Sequence, residues 1–134
     1  MKELEQPFEI YPHIGIGPFR LNASINDYSN LKLAFYESDD STGWDTYEFE
    51  NAFSIYTEKG IIVSIACRDL CVLNGVRVVG AHYSDFLKTF HPTNVTHDQI
   101  YMPDDDDYQD VYDIDDLELQ LWCRYDTILT VFCS

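Results

Sequence analysis

Gly17-Pro18-Phe19-Arg20-Leu21-Asn22-Ala23-Ser24-Ile25-Asn26-Asp27-Tyr28 sets the pattern of this chain, because Gly75-Val76-Arg77-Val78-Val79-Gly80-Ala81-His82-Tyr83-Ser84-Asp85-Phe86 repeats it. Glycine, alanine and aspartate coincide at 17/75, 23/81 and 27/85, and an aromatic follows the aspartate both times. Each segment reads as a short strand, a turn and a helix start. Downstream, residues 53–56 match 119–122, and residues 61–67 match 127–133. The offset is 58 from Gly17 to Gly75 and 66 from Cys67 to Cys133, so the second copy holds about eight extra residues between helix and hairpin. A unit met twice is an organising signal. The chain reads as one domain over 1–134, built from half-repeats 8–70 and 71–134.

Working outward, Phe8-Glu9-Ile10-Tyr11 alternates as a strand does. The spacing of Ile25, Tyr28, Leu31 and Phe35 predicts a helix from Ser24 to about Phe35, with Asn22 or Ser24 as cap and Asp27 near its positive end. Tyr83, Phe86, Leu87 and Phe90 predict a second helix over about 83–90, ended by Pro92. Tyr47 and Phe49 alternate with Glu48 and Glu50. Residues 54–56 and 61–67 flank a hairpin turn at Thr57-Glu58-Lys59-Gly60, and Asn74-Gly75 is a strong two-residue hairpin signal. Leu117, Leu119 and Leu121 define one buried face, and residues 127–133 form a β-branched apolar strand suited to the centre of a sheet. The fold class is therefore α+β. Each half reads β-α-β-β-β, giving one antiparallel sheet or two joined sheets with both short helices on a single face.

The charge is lopsided. Over 134 residues, 24 carboxylates face 8 lysines and arginines, a formal net charge of −16. Hydrophobic residues at 46% and aromatics at 15% are too many for a disordered chain. The result is a folded, strongly anionic domain, which attracts basic partners and repels nucleic acid and anionic lipid. The densest acidic run holds Asp104, Asp105, Asp106, Asp107, Tyr108, Asp110, Tyr112, Asp113, Asp115 and Asp116, and it falls where the second half carries its extra residues. We read it as a loop in which neighbouring carboxylates spread apart. Tyrosines interleaved with carboxylates supply rigid contact area beside negative charge, a combination suited to a lysine- and arginine-rich surface. Tyr108 and Tyr112 are expected to be exposed, Tyr47 and Tyr56 to be core. A second acidic loop with Asp39, Asp40, Trp44 and Asp45 competes for the same role.

Catalytic and metal signatures are missing from the sequence. Cys67 and Cys71 have no second pair to complete a zinc site. Cys67, Cys123 and Cys133 sit in apolar stretches and read as buried, reduced hydrophobes. The histidines, His13, His82, His91 and His97, match no ligand spacing. The aspartate run lacks the glycine and terminal glutamate of a calcium loop. Gly15-Ile16-Gly17-Pro18 lacks the elements of a phosphate loop. The expectation is no catalytic residue, no metal, no cofactor and no enzyme activity. With neither an apolar leader nor an 18-residue apolar run, a cytoplasmic protein without membrane contact is expected.

The opening Phe8-Glu9-Ile10-Tyr11-Pro12, then Gly15-Ile16-Gly17-Pro18-Phe19-Arg20-Leu21-Asn22-Ala23-Ser24, resembles the start of small bacterial immunity proteins of polymorphic and contact-dependent growth-inhibition toxin systems. Asn22 stands where that group usually has glycine, and it too supports a turn. Asn74-Gly75 and Gly80 before a helix continue the likeness, which covers roughly the first 90 residues. The resemblance implies a cytoplasmic protein that binds and neutralises a cognate basic toxin domain, often a nuclease, without touching nucleic acid itself. Two alternatives are a nucleic-acid mimic that inhibits a DNA-binding enzyme and an acidic small-molecule- or solute-binding domain.

Overall fold

The computed structural model describes residues 7–37 and 43–134. Strands β1 (Phe8–Tyr11), β2 (Gly15–Ile16), β3 (Phe19–Arg20), β8 (Cys71–Leu73) and β9 (Val76–Arg77) form a small sheet in the order β3-β2-β1-β8-β9. Its β1–β8 pair is parallel, and the other pairs are antiparallel. A large antiparallel sheet holds β4 (Leu33–Tyr36), β5 (Asp45–Phe49), β6 (Phe53–Glu58), β7 (Ile61–Cys67), β10 (Val95–Met102), β11 (Asp107–Ile114), β12 (Leu119–Arg124) and β13 (Thr127–Cys133). Its order, β10-β11-β12-β13-β7-β6-β5-β4, reads as four strands from each half, meeting where β13 pairs with β7 through Val131–Cys67, Phe132–Ala66 and Cys133–Ile65.

The halves tie down their hairpins in the same way. Asn22 N–H donates to Ile62 O as Gly80 N–H donates to Ile128 O, and Ile62 N–H donates to Ala23 O as Ile128 N–H donates to Ala81 O. Ile25 N–H reaches Gly60 O as Tyr83 N–H reaches Asp126 O. Isolated bridges join Ser24 to Ile61 and His82 to Thr127. The register slips between Tyr56 and Thr57 in one hairpin, and between Trp122 and Cys123 in the other. Every one of these pairs sits at the 58- or 66-residue offset of the sequence match.

The two-helix expectation is corrected. Residues 83–90 form the α-helix α1 (Tyr83–Phe90), but the first helix shrinks to one 3-10 turn, Ile25–Tyr28. Ser24 caps that turn, its Oγ accepting from Asn26 N–H at 3.2 Å. Ser29 and Asn30, both poor helix formers, follow it. Phe35, assigned to the helix by spacing, and Leu33, within its expected range, pair instead with Tyr47 and Phe49, and the Phe35 and Tyr47 rings lie 5.1 Å apart. Each half therefore carries four strands after its turn or helix, not three. The acidic stretch is likewise no loop over its length: β10 and β11 pair over eight positions, from Val95–Ile114 to Met102–Asp107.

One hydrophobic cluster lies between the sheets. Phe53 of β6 meets Phe8 at 4.7 Å and Phe19 at 5.0 Å, edge to face, and Ile10, Ile55, Ile65, Leu121, Ile128 and Val131 are fully buried around them. Ile25, Tyr83 and Phe86 bring the 3-10 turn and α1 onto the same cluster. Asp126, in the β12–β13 turn, accepts from Ser84 N–H and Ser84 Oγ and so caps α1 from a distance. All four cysteines are free and buried.

Burial sets an alkaline limit. It pushes the Cys123 thiol from its ordinary 9.0 up to about 12, helped by the charges of Asp110 and Asp126. A raised folded value means that the stability is complete below pH 9 and lost as pH rises toward 12, where the unfolded chain ionises and the folded one resists. Across that window the loss amounts to roughly 4 kcal/mol for such a thiol. Urea midpoints measured from pH 7 to pH 11 should fall steeply above about pH 9. Cys123→Ala should flatten that fall, and a parallel fall in the variant would exclude this thiol as a cause.

Candidate binding surface

The sequence-derived acidic residues occupy one wing of the large sheet, β10–β11–β12. Asp104, Asp105 and Asp106 form the β10–β11 turn, Asp107, Asp110 and Asp113 lie in β11, and Asp115 and Asp116 sit in the β11–β12 turn. At about 3.3 Å per residue, the two ends of β11 lie about 23 Å apart. Alternation also divides β11: Tyr108, Asp110 and Tyr112 share one face, and Asp107 and Asp113 the other. The structure therefore spreads these carboxylates along a wing and does not gather them into one cluster. From Thr89 to Cys123 there is no lysine or arginine, while Asp98 and Glu118 add to the acidic set.

Much of this acid is held in place. Asp105 accepts from Arg124 Nη2 at 2.7 Å, Asp106 accepts from the Tyr101 hydroxyl, and Asp107 accepts from the Tyr125 hydroxyl at 2.8 Å and from Tyr108 N–H. Asp110 meets His97 Nε2 at 2.9 Å and Gln99 Nε2 at 3.3 Å. The Tyr125 hydroxyl and the Tyr108 N–H hold the Asp107 carboxyl below the usual range, and Asp107 in turn raises Tyr125. The hydrogen bond to Asp106 raises Tyr101, and the one to Asp105 raises Arg124. The hairpin thus uses its carboxylates to fix its own turn, so their positions are preorganised. Among the described residues, no hydrogen bond or ion pair is formed by the side chains of Asp104, Asp115 or Asp116.

Two tyrosines need correcting. Tyr108 is 54% exposed, as expected, edge-on to Tyr101 at 5.3 Å. Tyr112 is not free: it is stacked between Tyr83 at 3.7 Å and His97 at 4.6 Å, half-buried beside α1. Burial raises its hydroxyl pKa. Tyr47 does pack on the core, but Tyr56 points to the other face of the sheet. Asp39 and Asp40 lie outside the described residues. Asp45 opens β5, and Trp44 precedes it.

Trp44 belongs to a feature that the sequence did not reveal. On the face of the large sheet away from the core, four aromatic rings cross the strands. Trp44 lies 6.3 Å from Tyr56, Tyr56 stacks on Phe132 at 6.1 Å, and Phe132 lies 5.8 Å from Trp122. Between Tyr56 on β6 and Phe132 on β13 runs β7, where the small residues Ser64 and Ala66 pair with Tyr56 and Phe132. Small side chains over the central strand and large rings on both flanks leave a pocket of about 550 Å³. Ser64 Oγ and Ser134 Oγ are hydrogen-bonded at 2.9 Å along it. Glu37, Asp113 and Glu118 contribute carboxylates, and among the described residues no lysine or arginine lines it.

One of those carboxylates is aimed. Trp122 Nε1 donates to Gln120 Oε1 at 2.7 Å, and Gln120 Nε2 donates to Asp113 Oδ1 at 2.8 Å. Glu118 faces His13 Nδ1 at 3.2 Å. Two residues singled out from opposite parts of the sequence, Trp44 and Asp113, are thus brought to one pocket. Tyr56, Gln120, Trp122 and Phe132 were missed. Their signal was parity: each alternates with buried neighbours along β6, β12 or β13.

Comparisons with protein-family models, with curated proteins and with solved structures return no match to this chain. No helix among the described residues is long and apolar enough to cross a membrane.

Proposed function

We propose that this chain is a cytoplasmic, non-enzymatic immunity-type protein that binds and neutralises a basic partner polypeptide, a toxin domain of the nuclease class. The observation that carries the reading is the wing itself: residues 89–123 fold into β10, β11 and most of β12 with Asp98, Asp104 to Asp107, Asp110, Asp113, Asp115, Asp116 and Glu118 and no cation. The arginines elsewhere do not offset it, because each is engaged internally. Arg20 lies over the Tyr11 ring, Arg68 pairs with Glu48, Arg77 donates to Val79 O, and Arg124 pairs with Asp105. A field of one sign steers a cationic partner and excludes nucleic acid and anionic lipid as direct ligands. A nuclease suits it because a cleft that holds phosphates is basic.

We also infer that the half-repeats 8–70 and 71–134 arose by tandem duplication. The matched backbone bonds, bridges and register slips at constant offsets support this. The second copy is four residues longer in its helix, Tyr83–Phe90 against Ile25–Tyr28, and three longer across its β10–β11 hairpin, 95–114 against 33–49, and the acid accumulated in the hairpin.

Affinity capture from cells of the encoding organism, with the tagged chain as bait, tests the reading. One basic polypeptide in near-stoichiometric amount supports it. A range of DNA-binding enzymes displaced by added duplex DNA would favour the nucleic-acid mimic. Recovery of only neutral or acidic partners would reject both.

A further inference from the structure

The pocket over β7 points to a more specific contact: we propose that it seats a single arginine side chain presented by a polypeptide. The inference rests on the basic partner proposed above for the source of that arginine, but it adds the aromatic lining of the pocket and shares only the carboxylates Asp113 and Glu118 with the wing. Trp44, Tyr56 and Phe132 line it with aromatic rings, and a cation beside a ring's π-system is attracted by the ring's quadrupole, most strongly for tryptophan. Asp113 is held by the Trp122–Gln120 relay with its second oxygen left to accept. A guanidinium is planar, stacks on aromatic faces and forks a carboxylate, and it sheds water more readily than an ammonium. Glu37 and Glu118 keep the rim negative, and among the described residues no lining cation opposes an incoming charge. The volume of about 550 Å³ exceeds what one guanidinium fills and leaves space for its methylene stem and the backbone that carries it.

Trp44 and Trp122 are the chain's two tryptophans, and both stand on the aromatic ladder, so the intact protein reports on its own pocket. Tryptophan emission would be followed while titrating acetyl-Gly-Arg-Gly-amide at physiological ionic strength. Saturable quenching is expected. The citrulline tripeptide, neutral but of the same shape, should bind at least about tenfold more weakly, and the lysine tripeptide roughly fivefold more weakly. Asp113→Asn and Tyr56→Leu should each weaken the arginine tripeptide about five- to tenfold, with near-ultraviolet circular dichroism confirming that both variants are folded. A variant with Asp104, Asp105, Asp106 and Asp107 all changed to Asn should bind it within about twofold of the parent, because the wing's turn is screened from the pocket beyond about 8 Å.

No saturable quenching, or equal affinity for the lysine and citrulline peptides, would overturn the pocket and leave the wing's role standing. Methylguanidinium binding as tightly as the tripeptide would make this a site for a free small cation and overturn the polypeptide source. Loss of tripeptide binding in the wing variant, with Asp113→Asn unaffected, would move the contact to the wing.

Discussion

Phe53→Ala is expected to lower the unfolding free energy by about 3–5 kcal/mol. Phe53 is fully buried and is the residue of β6 that reaches the small sheet, touching Phe8 of β1 and Phe19 of β3 with its ring. Its truncation removes the apolar transfer energy and leaves a cavity bounded by two sheets, neither of which can close it without breaking its own ladder. Edge-to-face contacts with two further rings add roughly 0.5–1.5 kcal/mol each in favourable cases. Urea denaturation followed by both far- and near-ultraviolet circular dichroism measures the effect. A loss below about 1 kcal/mol would mean that the sheets are not joined through this ring. The position matched to Phe53 at the 66-residue offset is Leu119, also buried. Leu119→Ala should cost about 2–5 kcal/mol, since leucine carries less apolar area than phenylalanine and no ring contacts.

Changing Asp104, Asp105, Asp106 and Asp107 together to Asn should slow association with the captured basic partner by about tenfold or more at low salt. Asparagine retains an oxygen that can accept from Arg124, Tyr101 and Tyr125, so the variant removes charge and keeps the turn. Electrostatic steering lives in the association rate and fades with ionic strength, whereas buried contacts live in the dissociation rate. Stopped-flow or surface-based kinetics at about 50 and 300 mM salt separate the two, given a screening length near 10 Å at 0.1 M. The parent should lose association rate steeply between those salts, and the variant much less. Identical rates and identical salt dependence in the two proteins would remove the wing's turn from the encounter.

Strand positions were legible wherever burial is one-sided. Leu119, Leu121 and Cys123 alternate with Gln120, Trp122 and Arg124, and the pattern alone places β12. The Asn74-Gly75 turn was legible because both residues take positive φ, 51° and 80°, as a two-residue hairpin requires. The run from Ser24 was misread because Ile25, Tyr28, Leu31 and Phe35 satisfy a helical period by coincidence. Leu33 and Phe35 are equally well spaced for a strand, and pairing with β5 decides between the two. β10 and β11 were hidden because Asp107, Asp110 and Asp113 are poor strand formers. Their pairing is imposed by the neighbouring β12 and by side-chain bonds such as His97–Asp110, which a linear reading does not contain.

The site was legible as charge and not as shape. The sequence located the acidic stretch and Trp44, but could not say that Asp110 and Asp113 face opposite ways until β11 was known to be a strand. The pocket depends on Ser64 lying between Tyr56 and Phe132, residues that come from both halves and meet only because β7 pairs with β13. Its short side chains carry no motif. They matter because they leave space where neighbouring strands carry rings.

Zero-length carbodiimide coupling of the complex with its captured partner, mapped by mass spectrometry, locates the contact most directly, because it joins carboxylates only to amines they already touch. Links from partner lysines to the carboxylates between Asp98 and Glu118 are the expected result. Links confined to Asp27, Glu58 and Asp85, with the β10–β12 wing unmodified by the partner, would contradict an acidic wing that grips a cationic polypeptide.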